Sequence, residues 1–261
     1  SSVLLMTASA AEASSSEVTA TVDVVALRLD GLQVKSGPLA GHWLESESWG
    51  FDGSIAAGMA RAFLCTGEDS YKAAAALGGT YIVRWAAGNY LGDEAYLLML
   101  LSEVSDHPDS NLWREALSDF YQQVCGGPGG VSDYTGWYSM IDPSVAVYYL
   151  ACHAVAADYV GAACAGDLRQ ELIRYLSAVD DTVSDFPIMA LGVATWALVL
   201  TGPLDDTPIG SNPADPWRGK VLSDLPALLA SHQVPEGLEN AGSFYRRFDH
   251  TDGGFGRVSG Y

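Results

Sequence analysis

Four residues near the end of the sequence have side chains suited to acid–base chemistry on a sugar acid. The stretch YRRFDHTD, residues 245–252, places Tyr245, Arg246, Arg247 and His250 in one loop. A polysaccharide lyase needs a base near the sugar C5 and a cation that neutralises the neighbouring carboxylate. This loop offers both. A lone histidine beside two arginines is more typical of a solvated or salt-bridged loop, and we favour that alternative.

Carboxylates allow a second kind of chemistry. Asp52 with Asp133 or Asp252 would give an inverting glycoside hydrolase its two carboxyl groups, which stand about 6.5–9.5 Å apart in such enzymes. Aromatic residues accompany these aspartates and would present flat surfaces to sugar rings, although half of them would serve only to fill the loops. They are Trp49, Phe51, Tyr90, Tyr134, Trp137, Tyr138 and Phe248.

Two sets of candidate site residues follow. If the protein is an enzyme, the catalytic set is His250, Arg247, Tyr245 and Asp52. The ligand-binding set is Trp49, Asp52, Tyr134, Trp137, Tyr138, Arg246 and Asp252. We expect no metal and no cofactor, because zinc-ligand spacing, HExxH, P-loop and dinucleotide-binding patterns are missing from the sequence. The acidic stretches 203–208 and 249–254 lack the spacing of an EF-hand, so solvated loops are favoured over calcium sites.

The aspartates also have a plainer explanation, because most of them stand where a helix should begin. Asp142 precedes Pro143, which is the pattern of an N-cap followed by proline at the first helical position. Asp52, Asp93 and Asp185 occupy similar places. A cap contributes about 1 kcal/mol, and we expect capping to be the first role of these residues and ligand contact the second.

Helical spacing of apolar residues dominates the chain and predicts an all-α fold. The predicted helices span 53–65, 70–87, 93–105, 111–125, 143–160, 167–178 and 186–201, with two more at 18–33 and 224–233. The segment 18–33 is also compatible with a strand, because it is rich in valine. Connections are short apart from 126–141 and 202–216, which favours antiparallel neighbours.

An acidic residue beside glycine, proline or an aromatic residue recurs before every second helix. The intervals between these aspartates are 41, 49, 43 and 67 residues, which indicates a helix-pair repeat. They are Asp52, Asp93, Asp142, Asp185 and Asp252. The helices that follow are rich in small residues, which favours close packing in an inner ring.

Together with the closing HTDGGFG, residues 250–256, these pairs resemble the α/α-toroid proteins with prenyltransferase and squalene-cyclase type repeats. The resemblance implies an (α/α) toroid, here incomplete with nine or ten helices instead of twelve. The acidic motif of the cyclases, the zinc set of the protein prenyltransferases and the thioester motif of complement-like toroids are not found. Those three activities are therefore not supported.

Charge and composition narrow the classes of partner. The chain has 13 Lys and Arg against 32 Asp and Glu, a net charge of −19, which would repel nucleic acid and anionic membranes. No apolar run approaches the roughly 20 residues needed to span a bilayer, so we expect a protein that does not span a membrane. The acidic, lysine-poor composition favours an extracellular or cell-surface location.

The first 16 residues are predicted to form an extended segment of apolar and small residues, ahead of a single domain over 17–261. Burial of Val3, Leu4, Leu5 and Met6 would contribute about 1.5–3 kcal/mol per side chain. The four together contribute less than the backbone entropy that is lost when ten residues become ordered, at about 1–2 kcal/mol per residue. An ordered segment therefore needs added backbone hydrogen bonds, from its own domain or from another copy. Exchange between copies would give an open head-to-tail contact, which builds a filament instead of a closed ring.

Four cysteines, Cys65, Cys125, Cys152 and Cys164, allow one or two disulfides with three full connectivities, or buried free thiols with equal weight. The sequence as a whole predicts a secreted or cell-surface structural or binding module that assembles with copies of itself through its N-terminal segment. The alternative is an extracellular polysaccharide lyase or glycoside hydrolase that uses the aromatic and acidic loops.

Overall fold

The computed structural model describes residues 8–43, 51–86, 88–104, 107–210, 216–236 and 243–250, with side chains described from residue 19 onward. In these ranges the fold is all-α, as predicted: helices are joined by turns, and extended pairing is limited to three isolated β-bridges. None of the described helices is both long and apolar enough to cross a lipid bilayer.

The described part of the chain forms ten α-helices, most of them within three residues of their predicted bounds. They are α1 (Ala8–Leu32), α2 (Asp52–Thr66), α3 (Asp69–Ala86), α4 (Gly92–Ser102), α5 (Ser110–Gly126), α6 (Gly130–Thr135), α7 (Pro143–Tyr159), α8 (Ala165–Leu176), α9 (Pro187–Leu200) and α10 (Leu225–Ser231). Two short 3₁₀ helices, Gly136–Met140 and Leu222–Asp224, precede α7 and α10.

Two elements differ from the sequence prediction. Helix α1 begins at Ala8, so residues 8–16 are helical instead of extended, because the alanine and glutamate of this stretch have high helix propensity. The strand alternative for 18–33 is wrong. Helix α6 was not predicted, since its six residues begin in a glycine-rich stretch and are too few to show a helical period.

The chain divides into two compact units, Ser1–Leu117 and Ser118–Tyr261. This differs from the single domain predicted over 17–261. In the first unit α2 packs on α1, α3 and α4, and in the second unit α7 packs on α8 and α9 while α10 packs on α9. The toroid architecture stays a prediction.

Small residues bring the helices of the first unit into close contact. A side chain at Gly78 would have its Cβ 2.8 Å from Ala56 Cβ, and one at Gly79 would lie 2.3 Å from Leu101 Cδ1. Both distances are too short for a real Cβ atom, so the two glycines let α3 pack directly against α2 and α4. Ala56, one side of this contact, belongs to the small-residue stretch of α2, and the inner ring expected from such stretches stays a prediction.

In the second unit, the helices α7 and α9 form the centre of the core, with most of their residues buried. A disulfide joins Cys125, in α5, to Cys164, just before α8. Cys65 is exposed and Cys152 is buried, and neither forms a disulfide. Of the alternatives that the sequence left open, the structure therefore has one disulfide and two free thiols.

Candidate functional site

Asp52 is buried at the first position of α2 in the first unit. Its Oδ1 accepts a hydrogen bond from the Trp43 backbone N–H at 2.9 Å, and its Oδ2 lies 2.8 Å from His42 Nδ1. The N-cap residue of α2 is Phe51, whose own side chain makes no capping hydrogen bond. The prediction that Asp52 caps α2 is therefore wrong: its carboxylate ties the helix start to residues 42 and 43 of the preceding segment.

Asp93, in the first turn of α4, has no exposed surface. Ser54 Oγ of α2 donates to its Oδ2 at 2.6 Å, and its Oδ1 accepts the Glu94 backbone N–H at 3.0 Å. Burial raises the pKa of the Asp93 carboxyl to about 6, although these hydrogen bonds favour the charged form. Residue 91 is the N-cap of α4, so Asp93 is not the N-cap residue; its carboxylate accepts one N–H of the first turn of α4 and links that turn to α2.

Glu94 is the third carboxyl group at this place, and no pattern in the sequence indicates its role. Its Oε2 accepts the backbone N–H of Leu91 at 2.7 Å. Burial, with smaller contributions from the charges of Asp93 and Asp52, raises the pKa of Glu94 to about 8. Its carboxyl group is therefore mostly protonated at neutral pH. Gly53 makes room for it, because a Cβ there would lie 2.7 Å from Glu94 Cγ.

Aromatic rings lie beside this carboxylate group, but they are mostly not the predicted ones. The ring of His42 is 5.3 Å from that of Tyr81, and Tyr81 is 6.1 Å from Trp85. The side chains of Trp85 and Phe51 are exposed. The first unit therefore combines three carboxyl groups with a row of rings that reaches the surface.

The second unit repeats the link between two helix starts. Asp142 Oδ1 accepts the backbone N–H groups of Ser144 and Val145 at 2.9 and 3.3 Å, which confirms the predicted cap. Its Oδ2 accepts the Asp185 N–H at 2.9 Å, and Ser144 Oγ accepts the Phe186 N–H at 3.1 Å. Because the N-cap of α9 is Phe186, whose side chain makes no capping hydrogen bond, the prediction that Asp185 is the cap is wrong. In each unit the serine of an Asp-x-Ser sequence joins the starts of two packed helices, as the donor to Asp93 in the first unit and as the acceptor from Phe186 in the second.

The predicted catalytic loop of the second unit does bring its tyrosine and histidine together. The ring of Tyr245 stacks on that of His250 with centroids 4.0 Å apart. His250 Nε2 lies 2.7 Å from Nδ1 of His232, a buried residue that its isolated place in the sequence predicts to be only structural. Burial, with a smaller effect of His250, lowers the pKa of His232.

The two arginines of this loop contact main-chain carbonyls. Arg247 Nη1 donates to the carbonyl oxygens of Asp181 and Ser184, and Arg246 Nε donates to that of Asp185 at 3.1 Å. Arg246 also lies over the ring of Phe186, 5.3 Å from its centroid. The Asp181 carboxylate accepts the backbone N–H groups of residues 248 and 249, both at 2.9 Å. The segment 243–250 is thus fastened to the helical body.

Of the predicted ligand-binding residues Tyr134, Trp137 and Tyr138, the first and the last contact a buried histidine, His153. Tyr138 has no exposed surface and packs on Trp137 with centroids 4.1 Å apart. The hydroxyls of Tyr134 and Tyr138 lie 3.1 and 3.2 Å from His153 Nε2, and that of Tyr121 lies 3.0 Å from its Nδ1. Burial lowers the pKa of His153 to about 3, so its ring is neutral.

Several predicted site residues lie outside the described residues: Trp49, Asp252, Val3, Leu4, Leu5 and Met6. Asp52 belongs to the first unit, whereas Tyr245, Arg247 and His250 belong to the second. Asp133 is exposed in α6. Within the described ranges, no three His, Cys, Asp or Glu side chains are grouped so that they could hold a metal ion.

An apolar groove of about 280 Å³ lies between α9 and α10 in the second unit. We call it the α9–α10 groove, and the residues that line it are Ile188, Met189, Gly192, Val193, Leu229 and Phe244. Phe244 belongs to the fastened segment 243–250, and its backbone pairs with that of Gln233. None of these six lining residues carries a charge.

Comparisons with protein-family models, with curated proteins and with solved structures found no match to this chain. What the protein does must therefore be inferred from its own geometry.

Proposed function

We propose that the protein is a structural or binding module of an extracellular or cell-surface assembly, and that copies of it associate through the N-terminal segment. The observation that carries the proposal is the uncharged α9–α10 groove, on a chain whose net charge is −19. Clefts lined mainly by apolar side chains are common sites of contact with another molecule.

A second apolar surface supports association. Helix α1 of the first unit exposes three aliphatic side chains, those of Val24, Val25 and Leu27. Val24 and Leu27 are 71% and 59% exposed and lie one helical turn apart. Because this surface and the groove are different patches, a contact between the N-terminal region of one copy and the groove of the next is heterologous. Repetition of such a contact builds a ring or a filament.

The arrangement of the aspartates favours a structural role over catalysis. Asp52, Asp93 and Asp142 each accept hydrogen bonds that join a helix start to another part of the same unit. Because hydrogen bonds of this kind hold helix starts together in both units, the aspartates are explained by the packing of helices without any reaction. The disulfide between Cys125 and Cys164 supports an oxidising, extracellular location.

The full chain and a Leu4→Asp/Leu5→Asp variant test this proposal. Sedimentation velocity and electron microscopy of the unaltered chain should show particles that grow with concentration, whereas the variant should remain a single copy with unchanged helical circular dichroism. A Ser14→Asp/Ser15→Asp variant adds the same two charges farther along the chain, beyond Glu12, and should still assemble at 0.15 M salt, where charges are screened beyond about 8 Å. Equal sedimentation of the unaltered chain and the Leu4→Asp/Leu5→Asp variant would reject the proposal.

A second candidate function is the cleavage of acidic polysaccharides, and the stacked Tyr245 and His250 favour it. His250 is exposed, and its contact with His232 would hold its ring in place as the base that removes the C5 proton. The C4–O bond then breaks to form the C4–C5 double bond, and the leaving oxygen takes a proton from water. The test is the absorbance of the unsaturated product released from uronic-acid glycans, with neutral glycans alongside. His250→Ala should abolish the signal, and a glycan panel that yields no product would remove this candidate.

A further inference from the structure

We propose that the α9–α10 groove receives the apolar segment Val3–Met6 of a second copy of the chain. The inference rests on the proposed self-assembly and identifies the surface that receives the N-terminal segment. The groove belongs to the second unit and the segment precedes α1 of the first.

The shape of the groove favours a short, extended occupant. Four α9 residues line it at positions i, i+1, i+4 and i+5 of one helix face, namely Ile188, Met189, Gly192 and Val193. A Cβ at Gly192 would have Leu229 Cδ1, at 3.9 Å, as its nearest neighbour, so the missing side chain opens the middle of the groove. Its volume of about 280 Å³ lies just below the usual range for ligand sites of about 300–1,000 Å³. Such a space takes a few side chains, not a folded partner.

Charge identifies the segment that fits. Two copies with a net charge of −19 repel each other, so a stable contact requires pieces of both that are free of acidic groups. The lining residues of the groove meet this condition. Residues 1–11, SSVLLMTASAA, meet it too, since the first charged side chain of the sequence is that of Glu12. Four consecutive apolar residues, 3–6, lie within this uncharged stretch.

The exposed side chains of α1, Val24 and Leu27, are the competing occupant. A helix with its side chains is about 10–12 Å across, and its backbone would have to stand outside a groove of this volume. An extended segment can place alternate side chains in the groove while its backbone lies along the rim. The N-terminal segment is therefore the better match.

One pair of glycine variants tests the assignment in the full chain. Gly192→Leu places a side chain in the groove at a position where the Cβ would have no heavy atom closer than 3.9 Å, and it also replaces glycine by a better helix former. Gly166→Leu is the matched control, because Gly166 lies in α8 of the same unit with open space around its Cβ. Gly192→Leu should raise the concentration needed for assembly at least tenfold, and Gly166→Leu should leave it unchanged.

Cross-linking within full-length protein identifies the occupant even where Gly192→Leu disturbs folding. A photoreactive p-benzoylphenylalanine replaces Val193, and equal amounts of ¹⁴N- and ¹⁵N-labelled copies are mixed before illumination. Peptides that join position 193 to residues 1–7 and carry both labels are the expected product. Links to residues 20–28 of another copy, or links to 1–7 with a single label only, would overturn the proposal in favour of α1 or of the chain's own segment.

The two sets of variants separate the inference from the proposed function. If Leu4→Asp/Leu5→Asp abolishes assembly while Gly192→Leu, correctly folded, assembles like the unaltered chain, the groove assignment fails and self-assembly stands. If Leu4→Asp/Leu5→Asp assembles normally, both fail.

Discussion

Ser54 Oγ lies 2.6 Å from Asp93 Oδ2, and this hydrogen bond connects the first turn of α2 to a carboxylate with no exposed surface in α4. About forty residues of sequence separate the two helix starts that it joins. The bond matters because a buried carboxylate without donors is costly, whereas one that accepts hydrogen bonds is tolerated.

Ser54→Ala should therefore destabilise the first unit by about 1–3 kcal/mol, the usual cost of leaving a buried acceptor unsatisfied. The loss should be larger at pH 8 than at pH 5, because the pKa of Asp93 is about 6 and its neutral form needs the donor less. Urea unfolding at the two pH values measures both effects. Ser70→Ala, on the exposed surface of α3, is the control and should change stability by less than about 0.5 kcal/mol. An equal loss at pH 5 and pH 8 would contradict the assignment.

Glu94→Gln should stabilise the protein in alkaline solution and leave it almost unchanged in acid. The folded-state pKa of Glu94 is about 8 against an ordinary value of 4.5, so its contribution is fully present below about pH 4.5. It is lost as the pH rises towards 8, by up to about 1.4 kcal/mol per pH unit. Glutamine keeps the acceptor for the Leu91 N–H without a charge.

The midpoint of urea unfolding from pH 4.5 to 9 measures this difference. Glu115→Gln removes the same charge from an exposed position of α5 in the first unit and serves as the control. The two variants should differ increasingly as the pH rises. Parallel pH profiles for Glu94→Gln and the unaltered chain would show that Glu94 ionises normally.

Local signals explain why most helices could be predicted and the site only partly. The Asp142-Pro143 pair marks the start of α7 by itself, because proline at the first helical position and an aspartate cap act within three residues. Glu94 carries no comparable sign, since its burial arises when Gly53, 41 positions earlier in the sequence, packs against it. The spacing of apolar side chains in α4 does not predict that contact.

In the segment 243–250, too, the sequence predicts only part of the site. Tyr245 and His250 are close in the sequence, and their rings stack in the structure. The partners of Arg246 and Arg247 are carbonyl groups more than 60 residues away, at 185 and at 181 and 184. Main-chain acceptors of this kind have no side-chain signature, so the sequence could not distinguish arginines held by the body from arginines available to a substrate.

The buried His153 should make the second unit sensitive to acid. Its pKa is about 3 in the folded chain and near 6.5 in the unfolded chain, so its contribution is fully present above pH 6.5. It is lost as the pH falls towards 3, by about 1.4 kcal/mol per pH unit. His153→Gln should therefore be less stable than the unaltered chain at pH 7.5 but show a shallower decline between pH 6 and pH 4.

Tyr134→Phe is the matched control for this effect. It removes one hydroxyl from His153 Nε2 and keeps the titrating ring, so it should cost about 1 kcal/mol at every pH and retain the steep decline in acid. Stability is followed by denaturant unfolding from pH 7.5 to 4. If the free energy of unfolding of His153→Gln and that of the unaltered chain fall with equal slopes, protonation of His153 does not cause the loss of stability in acid.

Loss of the disulfide should weaken the second unit more than any other single change considered above. Cys125 and Cys164 are 39 positions apart, and closure of a loop of that length lowers the entropy of the unfolded chain by an amount worth about 4 kcal/mol. A Cys125→Ser/Cys164→Ser variant, or the unaltered chain in reductant, should lose this amount in urea unfolding. Cys65→Ser removes an exposed thiol and should leave the midpoint unchanged. A reductant that has no effect on the unaltered chain would mean that the 125–164 bond is not formed in solution, and it would also remove the main structural support for an extracellular location.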